Sequence, residues 1–274
     1  MNKKYYFSIV AMFKNESWGL REWIEHYKFH GADHIYLIDD FSDDDYFSVL
    51  EPYINSGYVS LFKNDISERF KGRQIYITNK YLLPIANESY WIANVDLDEY
   101  LYSPKEIDIK NILKKYENFG EIYVNWVWFS SSGFVKQPKD GVVNNFVKRA
   151  EYGTYVFARH YPVDYPEGKM EGTDAAKCIA NSNFNIKNFN VHEIFTDGQK
   201  INLSYKSDKD NPELLLNHYQ LQSREYWEST KMNRGDCNHW FEGHPRGWHI
   251  FSAYDIGDII DTRLKEQNTT LNQF

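Results

Sequence analysis

Residues 90–100 read YWIANVDLDEY, an apolar run that ends in the three carboxylates Asp96, Asp98 and Glu99. Aromatic and β-branched residues in a short run favour a buried strand. In open α/β sheets, ligands bind in the crevice beyond the carboxyl ends of the strands. The stretch therefore predicts a core strand that leads directly into a binding site.

The spacing of the acids suggests what this site would bind. Asp96 and Asp98 are two residues apart, so on an extended chain their side chains point to the same side. Paired carboxylates repel unless a cation lies between them, and Mg²⁺ or Mn²⁺ suits such oxygen ligands and leaves positions for substrate phosphates. The stretch indicates either a metal that bridges the protein and a phosphorylated substrate or a solvated acidic turn, and the residues alone leave both open.

Strand-like and helix-like segments alternate on the N-terminal side of this stretch. This alternation is typical of βαβ units and of a parallel sheet. Right-handed crossovers would bring the strand ends at Lys14, Asp39 and Asp96 to one rim of the sheet. The predicted strands are 5–13, 34–38 and 58–62, and the predicted helices are 18–30, with Ser17 as N-cap, 46–54 and 69–83.

The pattern changes after Asp98 and becomes richer in strands. A long polar segment, 134–175, predicts a loop with a hairpin, and no internal repeat or linker divides the chain. We expect one domain with an α/β front and a mixed, partly antiparallel β back. The predicted strands are 121–129, 142–147, 175–180, 189–195 and 214–220, and the predicted helices are 107–116, 223–234 and 253–264.

The composition argues against several classes of protein. The net charge of −8 in 274 residues argues against a nucleic-acid partner, which needs a basic face. The two cysteines, Cys178 and Cys237, do not form a Cys-x-x-Cys pair, so a zinc site or disulfide framework is not expected. No signal-peptide pattern and no transmembrane stretch is apparent, so we expect a cytoplasmic protein and leave peripheral membrane association open.

The ordered motifs along the chain resemble those of GT-A-fold glycosyltransferases, most closely the family 2 and family 92 kind. The N-terminal motifs are Lys14-Asn15-Glu16, Glu22-Trp23, His26-Tyr27, Asp39-Asp40-x-Ser42-x-Asp44 and Asp96-x-Asp98-Glu99-Tyr100. The later motifs are Trp126-x-x-Phe129-x-Ser131-Ser132-Gly133, Asn217-His218-Tyr219, Ser223, Lys231 and Arg234-Gly235. The resemblance spans most of the chain and is weaker at 134–175 and after 250.

The resemblance implies a Rossmann-like, mostly parallel sheet flanked by helices, with a smaller mixed β part in the C-terminal half. It implies a single domain, 1–274, in which 1–103 bind a nucleotide sugar and 104–274 bind the acceptor. The implied activity is metal-dependent, inverting transfer of a hexose from a nucleotide diphosphate sugar, with UDP as the expected nucleotide. The acceptor would be a hydroxyl of a glycan, a lipid-linked glycan or a glycoprotein.

The same resemblance assigns roles around the acidic stretch. Asp96 would lie near the donor ribose and the metal, Asp98 would ligate the metal, and Glu99 would orient the pair or contact the acceptor side. His218 would supply a further metal ligand, and an imidazole ligand favours Mn²⁺ over Mg²⁺. Lys177 would position phosphate or serve a structural role.

Further residues are assigned to the donor. Asn15, Glu16 and Asp40 fall where such enzymes hold the base and ribose, and Asp39 could exchange roles with Asp40. Arg73 and Gln74 begin a helix that, according to the resemblance, lies near the donor. The two residues could equally be ordinary residues on the helix surface.

The acceptor side is less defined. An inverting transferase needs a general base for the acceptor hydroxyl, and Asp174 is our choice over Glu171 and Asp236. Trp126 and Phe129 are the leading candidates for an acceptor platform, since sugars pack their C–H faces on aromatic rings. The other aromatic candidates are Trp128, Trp240 and Trp248.

Two other classes of protein share parts of this pattern. A nucleotidyltransferase or phosphotransferase would also place carboxylates and a metal beside a nucleotide, but no Gly-rich phosphate loop is present. A non-catalytic carbohydrate-binding protein could retain the fold. Metal-dependent nucleotide binding would separate the transferases from a sugar-binding module.

Overall fold

A computed structural model describes residues 3–152, 154, 176–198, 200–202, 211–234, 237 and 246–269. In these ranges the chain forms one nine-stranded sheet and two two-stranded sheets. The strands are β1 (Tyr5–Phe13), β2 (His34–Asp39), β3 (Val59–Lys63), β4 (Ser89–Asn94), β5 (Glu99–Tyr102), β6 (Glu121–Trp128), β7 (Lys148–Arg149), β8 (Ala176–Asn181), β9 (Asn188–Phe189), β10 (Ile194–Phe195), β11 (Lys200–Asn202), β12 (Leu215–His218) and β13 (Ile259–Ile260).

Short and long helices connect these strands. The α-helices of the described ranges are α1 (Ser17–Phe29), α2 (Tyr46–Asn55), α3 (Arg73–Leu82), α4 (Lys110–Leu113), α5 (Arg224–Tyr226), α6 (Trp248–Tyr254) and α7 (Arg263–Gln267). The 3₁₀ segments are Leu83–Glu88, Lys114–Tyr116 and Ser182–Phe184, and a π-helical turn, Trp227–Met232, continues α5.

The large sheet has the order β3-β2-β1-β4-β8-β6-β12-β5, with β11 paired to β6. Strands β3, β2, β1 and β4 are mutually parallel, β6 is parallel to β12, and β8 and β5 run antiparallel to their neighbours. The two small sheets are antiparallel. The predicted α/β fold, with its mostly parallel sheet and smaller antiparallel part, is confirmed. Because the sheet takes strands from both 1–103 and 104–274, the assignment of those ranges to donor and acceptor stays a prediction.

Helix α1 covers one face of the parallel strands and its apolar stripe enters the core. Leu20, Trp23, Ile24 and Tyr27 recur at helical spacing and are all fully buried. The predicted Ser17 cap is wrong, because Ser17 is already helical and its N–H donates to Asp44 Oδ2 at 2.7 Å. A carboxylate from the loop after β2 therefore caps a helix that follows β1, which fixes two neighbouring strand ends together.

Several predicted boundaries were wrong for local reasons. The helix predicted at 69–83 begins at Arg73, because Gly72 adopts a left-handed φ of +81°. Residues 142–147 form a turn before β7, 189–195 fold into the β9–β10 hairpin, and 253–264 divide between α6, β13 and α7. In the last three cases apolar residues lack a clear periodicity, and tertiary contacts decide their structure.

The cap of α1 gives a test of this arrangement. We expect Asp44→Ala to lower the free energy of unfolding by about 1 kcal/mol, because the Ser17 N–H loses its carboxylate acceptor. The matched control is Asp43→Ala, which removes the same charge from an exposed neighbour. Urea denaturation measures both, and equal stability of the two variants would contradict a capping role for Asp44.

Candidate active site

A cleft of about 880 Å³ opens beyond the carboxyl ends of β1, β2 and β4. This is the rim that the parallel topology predicted for the polar strand ends. Cationic side chains outnumber carboxylates along its walls, although the whole chain carries a net charge of −8. The cationic residues are Lys14, Arg69, Lys71, Arg73, Lys231, Arg234 and Arg246, and the carboxylates are Glu16, Asp40, Asp96 and Asp98.

The acidic residues at the floor of the cleft lie in a tight turn between β4 and β5. Trp23 Nε1 donates to the carbonyls of Asp96 and Glu99 at 3.2 and 3.1 Å, and Tyr27 Oη donates to the Glu99 carbonyl at 3.0 Å. The carboxylate of Glu99 accepts from Asp96 N–H at 2.8 Å. The backbone of the turn is thus fixed by Trp23 and Tyr27 of α1 and by the carboxylate of Glu99.

Asp98 sits between a cation and an imidazole. Lys231 Nζ donates to Asp98 Oδ2 at 2.6 Å, and His218 Nε2 lies 3.5 Å from Asp98 Oδ1. All three side chains are nearly inaccessible. Burial raises the pKa of Asp98, but Lys231 and His218 lower it more, so that the net pKa lies well below its ordinary value and the carboxylate stays charged.

Asp96 has a different cationic partner. Lys177 Nζ, 2% exposed, donates to Asp96 Oδ2 and to the Val191 carbonyl, both at 2.9 Å. Burial raises the pKa of Asp96 and Lys177 lowers it, with a net pKa below the ordinary value. The expectation that Asp96 and Asp98 share one side of an extended strand is wrong, because residues 95–98 leave the strand and form the turn.

Glu99 lies beneath this turn and is fully buried. Burial raises the pKa of Glu99 well above its ordinary value, against the opposing effect of Lys177 at 3.7 Å. Its contact with the Asp96 N–H suits a residue that supports the turn from below. Its predicted role, orienting the aspartates or contacting the acceptor side, stays a prediction.

The predicted metal ligands agree with this geometry in part. Among the described residues, no group of three or more His, Cys, Asp and Glu side chains is arranged to hold a metal ion. Asp98 Oδ1 and His218 Nε2 nevertheless face each other, and an oxygen and an imidazole nitrogen are a donor set that Mn²⁺ accepts. His218 Nδ1 is buried without a partner in the described ranges. Asp98 and His218 are thus the residues present that fit a metal, and the metal itself stays a prediction. One oxygen of each aspartate is bound to a lysine, Asp96 Oδ2 to Lys177 and Asp98 Oδ2 to Lys231.

A second polar cluster lines the cleft at the end of β2. The guanidinium of Arg73 donates to both oxygens of Asp40, at 2.6 and 2.8 Å, and Asn64 Nδ2 donates to Asp40 Oδ1 at 2.8 Å. Burial raises the pKa of Asp40, but these hydrogen bonds lower it below its ordinary value. Both Arg73 and Gln74 line the cleft, and their position near the donor stays a prediction.

The side chains of Asp39 and Asn15, which adjoin this cluster, form hydrogen bonds within the loops instead of lining the cleft. Asp39 accepts from Ser42 N–H and from Tyr46 Oη, both at 2.9 Å. The Asn15 side chain accepts from Asp43 N–H at 2.9 Å. Asp39 therefore holds the loop after β2 and the start of α2, and Asn15 joins that loop to the one after β1. Of the two adjacent aspartates, Asp40 is the one that lines the cleft.

Glu16 joins the first strand end to the second half of the chain. Its carboxylate accepts from Tyr226 Oη at 3.0 and 3.2 Å and from the guanidinium of Arg234. Arg234 also donates to the Lys14 carbonyl at 2.9 Å. Because Glu16 and Arg234 both line the cleft, this ion pair forms part of its wall.

The two predicted acceptor residues have separate environments. Trp126 lines the cleft, and its ring lies 4.3 Å from the His218 ring and 5.2 Å from that of His192. Phe129 is 1% exposed and packs on Tyr219 in the core. Trp126 is thus placed at the cleft, where its acceptor role stays a prediction, whereas Phe129 is a core residue.

Two features of the site were not anticipated. The ion pairs of Lys177 and Lys231 with the acidic turn join residues far apart in sequence, and the sequence assigned neither lysine to its aspartate. His192 lines the cleft, and burial, reinforced by Lys177, lowers its pKa to about 3, so that it is neutral at pH 7. No local pattern marks this histidine. Asp174, Glu171 and Asp236, the candidate bases, lie outside the described residues.

A family model named Glycosyltransferase family 92 matches residues 3–266 of this sequence. The chain belongs to glycosyltransferase family 92. This confirms the resemblance inferred from the ordered motifs, because the match includes the β1 end, the acidic turn and the residues around His218.

Curated relatives agree with this family assignment. A family 92 protein of Ricinus communis is 23% identical over 81% of this chain, and one of Oryza sativa subsp. japonica is 28% identical over 52%. A galactan beta-1,4-galactosyltransferase of Arabidopsis thaliana, GALS3, is 29% identical over 41%. The matches cover 36%, 24% and 23% of the length of these relatives, so the family 92 chain spans a quarter to a third of them.

Among solved structures, S. aureus TarS 1–349 is similar with a TM-score of 0.43 and 11% identity, over 77% of this chain and 60% of that chain. The same protein in complex with UDP-GlcNAc gives a TM-score of 0.43 and 11% identity, over 80% and 60%. Within the described ranges of the family 92 chain, helices are too short or too polar to cross a membrane.

The buried pair of Asp98 and Lys231 generates a stability test. We expect Lys231→Met to lower the free energy of unfolding by about 3–5 kcal/mol, because it leaves Asp98 charged and buried without its cation. The double variant Asp98→Asn, Lys231→Met should regain most of this loss, since neither residue then carries a charge. Chemical denaturation at pH 7 measures the free energy of unfolding of the wild type and of both variants.

The matched control is Lys136→Met, which breaks a 2.8 Å pair with Glu225 at the surface. It should leave the free energy of unfolding nearly unchanged, because water and salt screen that pair. If Lys231→Met were as stable as the Lys136 variant, the buried pair would have no role in holding the turn.

Proposed function

We propose that this chain transfers a hexose from a UDP-sugar to a hydroxyl of a glycan or glycoconjugate, in a metal-dependent and inverting reaction. The observation that carries the proposal is the acidic turn, in which Asp98 lies between Lys231 and His218 at the floor of a cationic cleft. Membership of family 92 supports glycosyl transfer in general.

The chemistry of the leaving group fits this cleft. Sugar transfer releases a nucleoside diphosphate, and negative charge accumulates on it as the glycosidic bond breaks. Fixed cations stabilise such charge most when they are oriented in advance and partly desolvated. Lys231 and Arg234 are held by Asp98 and Glu16 on the cleft wall, so they need little reorganisation to stabilise the diphosphate.

The proposed metal is Mn²⁺, with Mg²⁺ as the second choice. Asp98 and His218 would hold it, and Asp96 would approach the donor ribose and the ion from the same turn. When bound, the ion would neutralise the charge of the diphosphate. Lys231 and Lys177 already neutralise part of the charge of the turn. Of these two lysines, Lys231 lines the cleft and so lies where it could also contact the diphosphate.

The proposed donor is a hexose on UDP. The galactan galactosyltransferase relatives match 41% of this chain, and their names state a β-1,4 linkage. A β-linked product formed from an α-linked donor requires inversion and a base for the acceptor hydroxyl. Asp174 remains the proposed base, Trp126 the proposed acceptor contact and the cytoplasm the proposed location.

A binding experiment tests the donor class first. We expect UDP to raise the melting temperature in the presence of Mn²⁺, because a ligand that binds the folded state stabilises it by mass action. GDP, CMP and dTDP, each with and without Mn²⁺ or Mg²⁺, are the comparisons. If no nucleotide changes the melting temperature with any metal, the proposal fails and a sugar-binding role replaces it.

An activity experiment tests the site itself. The double variant Asp98→Asn, Lys231→Met should remain folded and lose product formation from a UDP-hexose by about 10²- to 10³-fold. Glu51→Ala, which removes an exposed carboxylate from α2, is the control and should keep full activity. Full activity in the folded double variant would exclude Asp98 from catalysis, and NMR of the product anomer would decide between inversion and retention.

A further inference from the structure

Phe41 is an apolar ring in a cleft with polar walls. Its side chain is 44% exposed and lines the cleft directly after Asp40. Phe41 belongs to neither hydrophobic cluster of the described residues. Burial in the core therefore does not account for a large ring at this position.

The backbone at Phe41 adopts a conformation that disfavours such a side chain. Its φ is +58°, in the left-handed region where glycine and asparagine are preferred and bulky residues are rare. Hydrogen bonds on both sides hold it there: Asp40 N–H donates to the Phe13 carbonyl at 2.8 Å and Ser42 N–H to Asp39 at 2.9 Å. A strained backbone of this kind persists where surrounding contacts hold it in place, and such residues are concentrated at ligand sites.

The neighbouring groups indicate what the ring would contact. Asp40 and Arg73 form a fixed polar pair beside it, with Asn64 on the same carboxylate. A flat apolar face next to fixed hydrogen-bonding groups suits a planar heterocycle, which offers a π-face for stacking and a polar edge for recognition. A phosphate has no apolar face to place on the ring. A sugar could pack its C–H face there but has no planar polar edge for Asp40 and Arg73 to contact.

We propose that Phe41 is the stacking platform for the nucleobase of the donor, with Asp40 and Arg73 beside its polar edge. This inference rests on the proposed function, because it requires a nucleotide donor. The loops after β1 and β2 hold the backbone at Phe41 in place before the ligand binds, since Asn15 N–H donates to Ser42 Oγ at 3.0 Å. A preformed ring loses little conformational freedom on binding.

The decisive variant is Phe41→Asn, which removes the ring and suits the left-handed backbone. We expect UDP to bind about 5- to 100-fold more weakly, as for loss of one base–aromatic stack. The melting temperature of the free protein should stay the same or rise by about 2 °C, because strain is relieved. Inorganic pyrophosphate, which has no base, should bind wild type and variant equally, and calorimetry with Mn²⁺ measures both ligands.

Two further variants control the interpretation. Phe41→Tyr keeps a ring and should retain UDP affinity within about twofold, whereas Phe41→Leu keeps apolar bulk without a ring and should lose it. Phe47→Asn removes an equally exposed phenylalanine, 48% accessible, from α2 and should leave UDP affinity unchanged.

The outcomes separate this inference from the function on which it rests. If wild type binds UDP and Phe41→Asn binds it equally well, the stacking role is wrong and the donor class stands. If the variant loses UDP and pyrophosphate in parallel, or unfolds at a lower temperature, the ring shapes the cleft and does not stack on a base. If wild type binds no nucleotide, both proposals fail together.

Discussion

The contact between Asp98 and Lys231 is the constraint on which the site depends. A buried carboxylate is costly unless a cation and hydrogen-bond donors compensate it. The cation comes from a segment 133 residues later, and the imidazole beside it comes from the end of β12. The acidic turn can therefore reach its low-energy state when the C-terminal half of the chain has packed against the N-terminal strands.

Helix α1 provides the second support of this turn. Trp23 and Tyr27 would be buried in any α/β protein with this apolar stripe, yet their polar atoms bond the backbone of the turn. Buried Trp and Tyr generally need such partners. Core packing and site geometry thus share the same side chains, and a change in the core would move the carboxylates.

The charge of the cleft differs from the charge of the chain. The surface carries most of the acidic excess, whereas lysines and arginines converge on the cleft and several are held by carboxylates within it. A local field of one sign, framed by low-dielectric walls, can attract an anionic ligand regardless of the net charge. Net charge excluded nucleic acid as an expected partner and had no bearing on a nucleoside diphosphate.

The sequence by itself determined the alternation of strands and helices, the rim on which the polar strand ends meet, and the identity of Asp96, Asp98 and His218 as central residues. These are local signals: apolar runs set strands, periodic residues set α1, and motif order indicates the family. Only the tertiary structure decided which lysine compensates which aspartate, that Asp40 and not Asp39 lines the cleft, and that Phe129 belongs to the core. Each of these depends on the direction of a side chain or on a contact between distant segments, and neither property is encoded in local sequence.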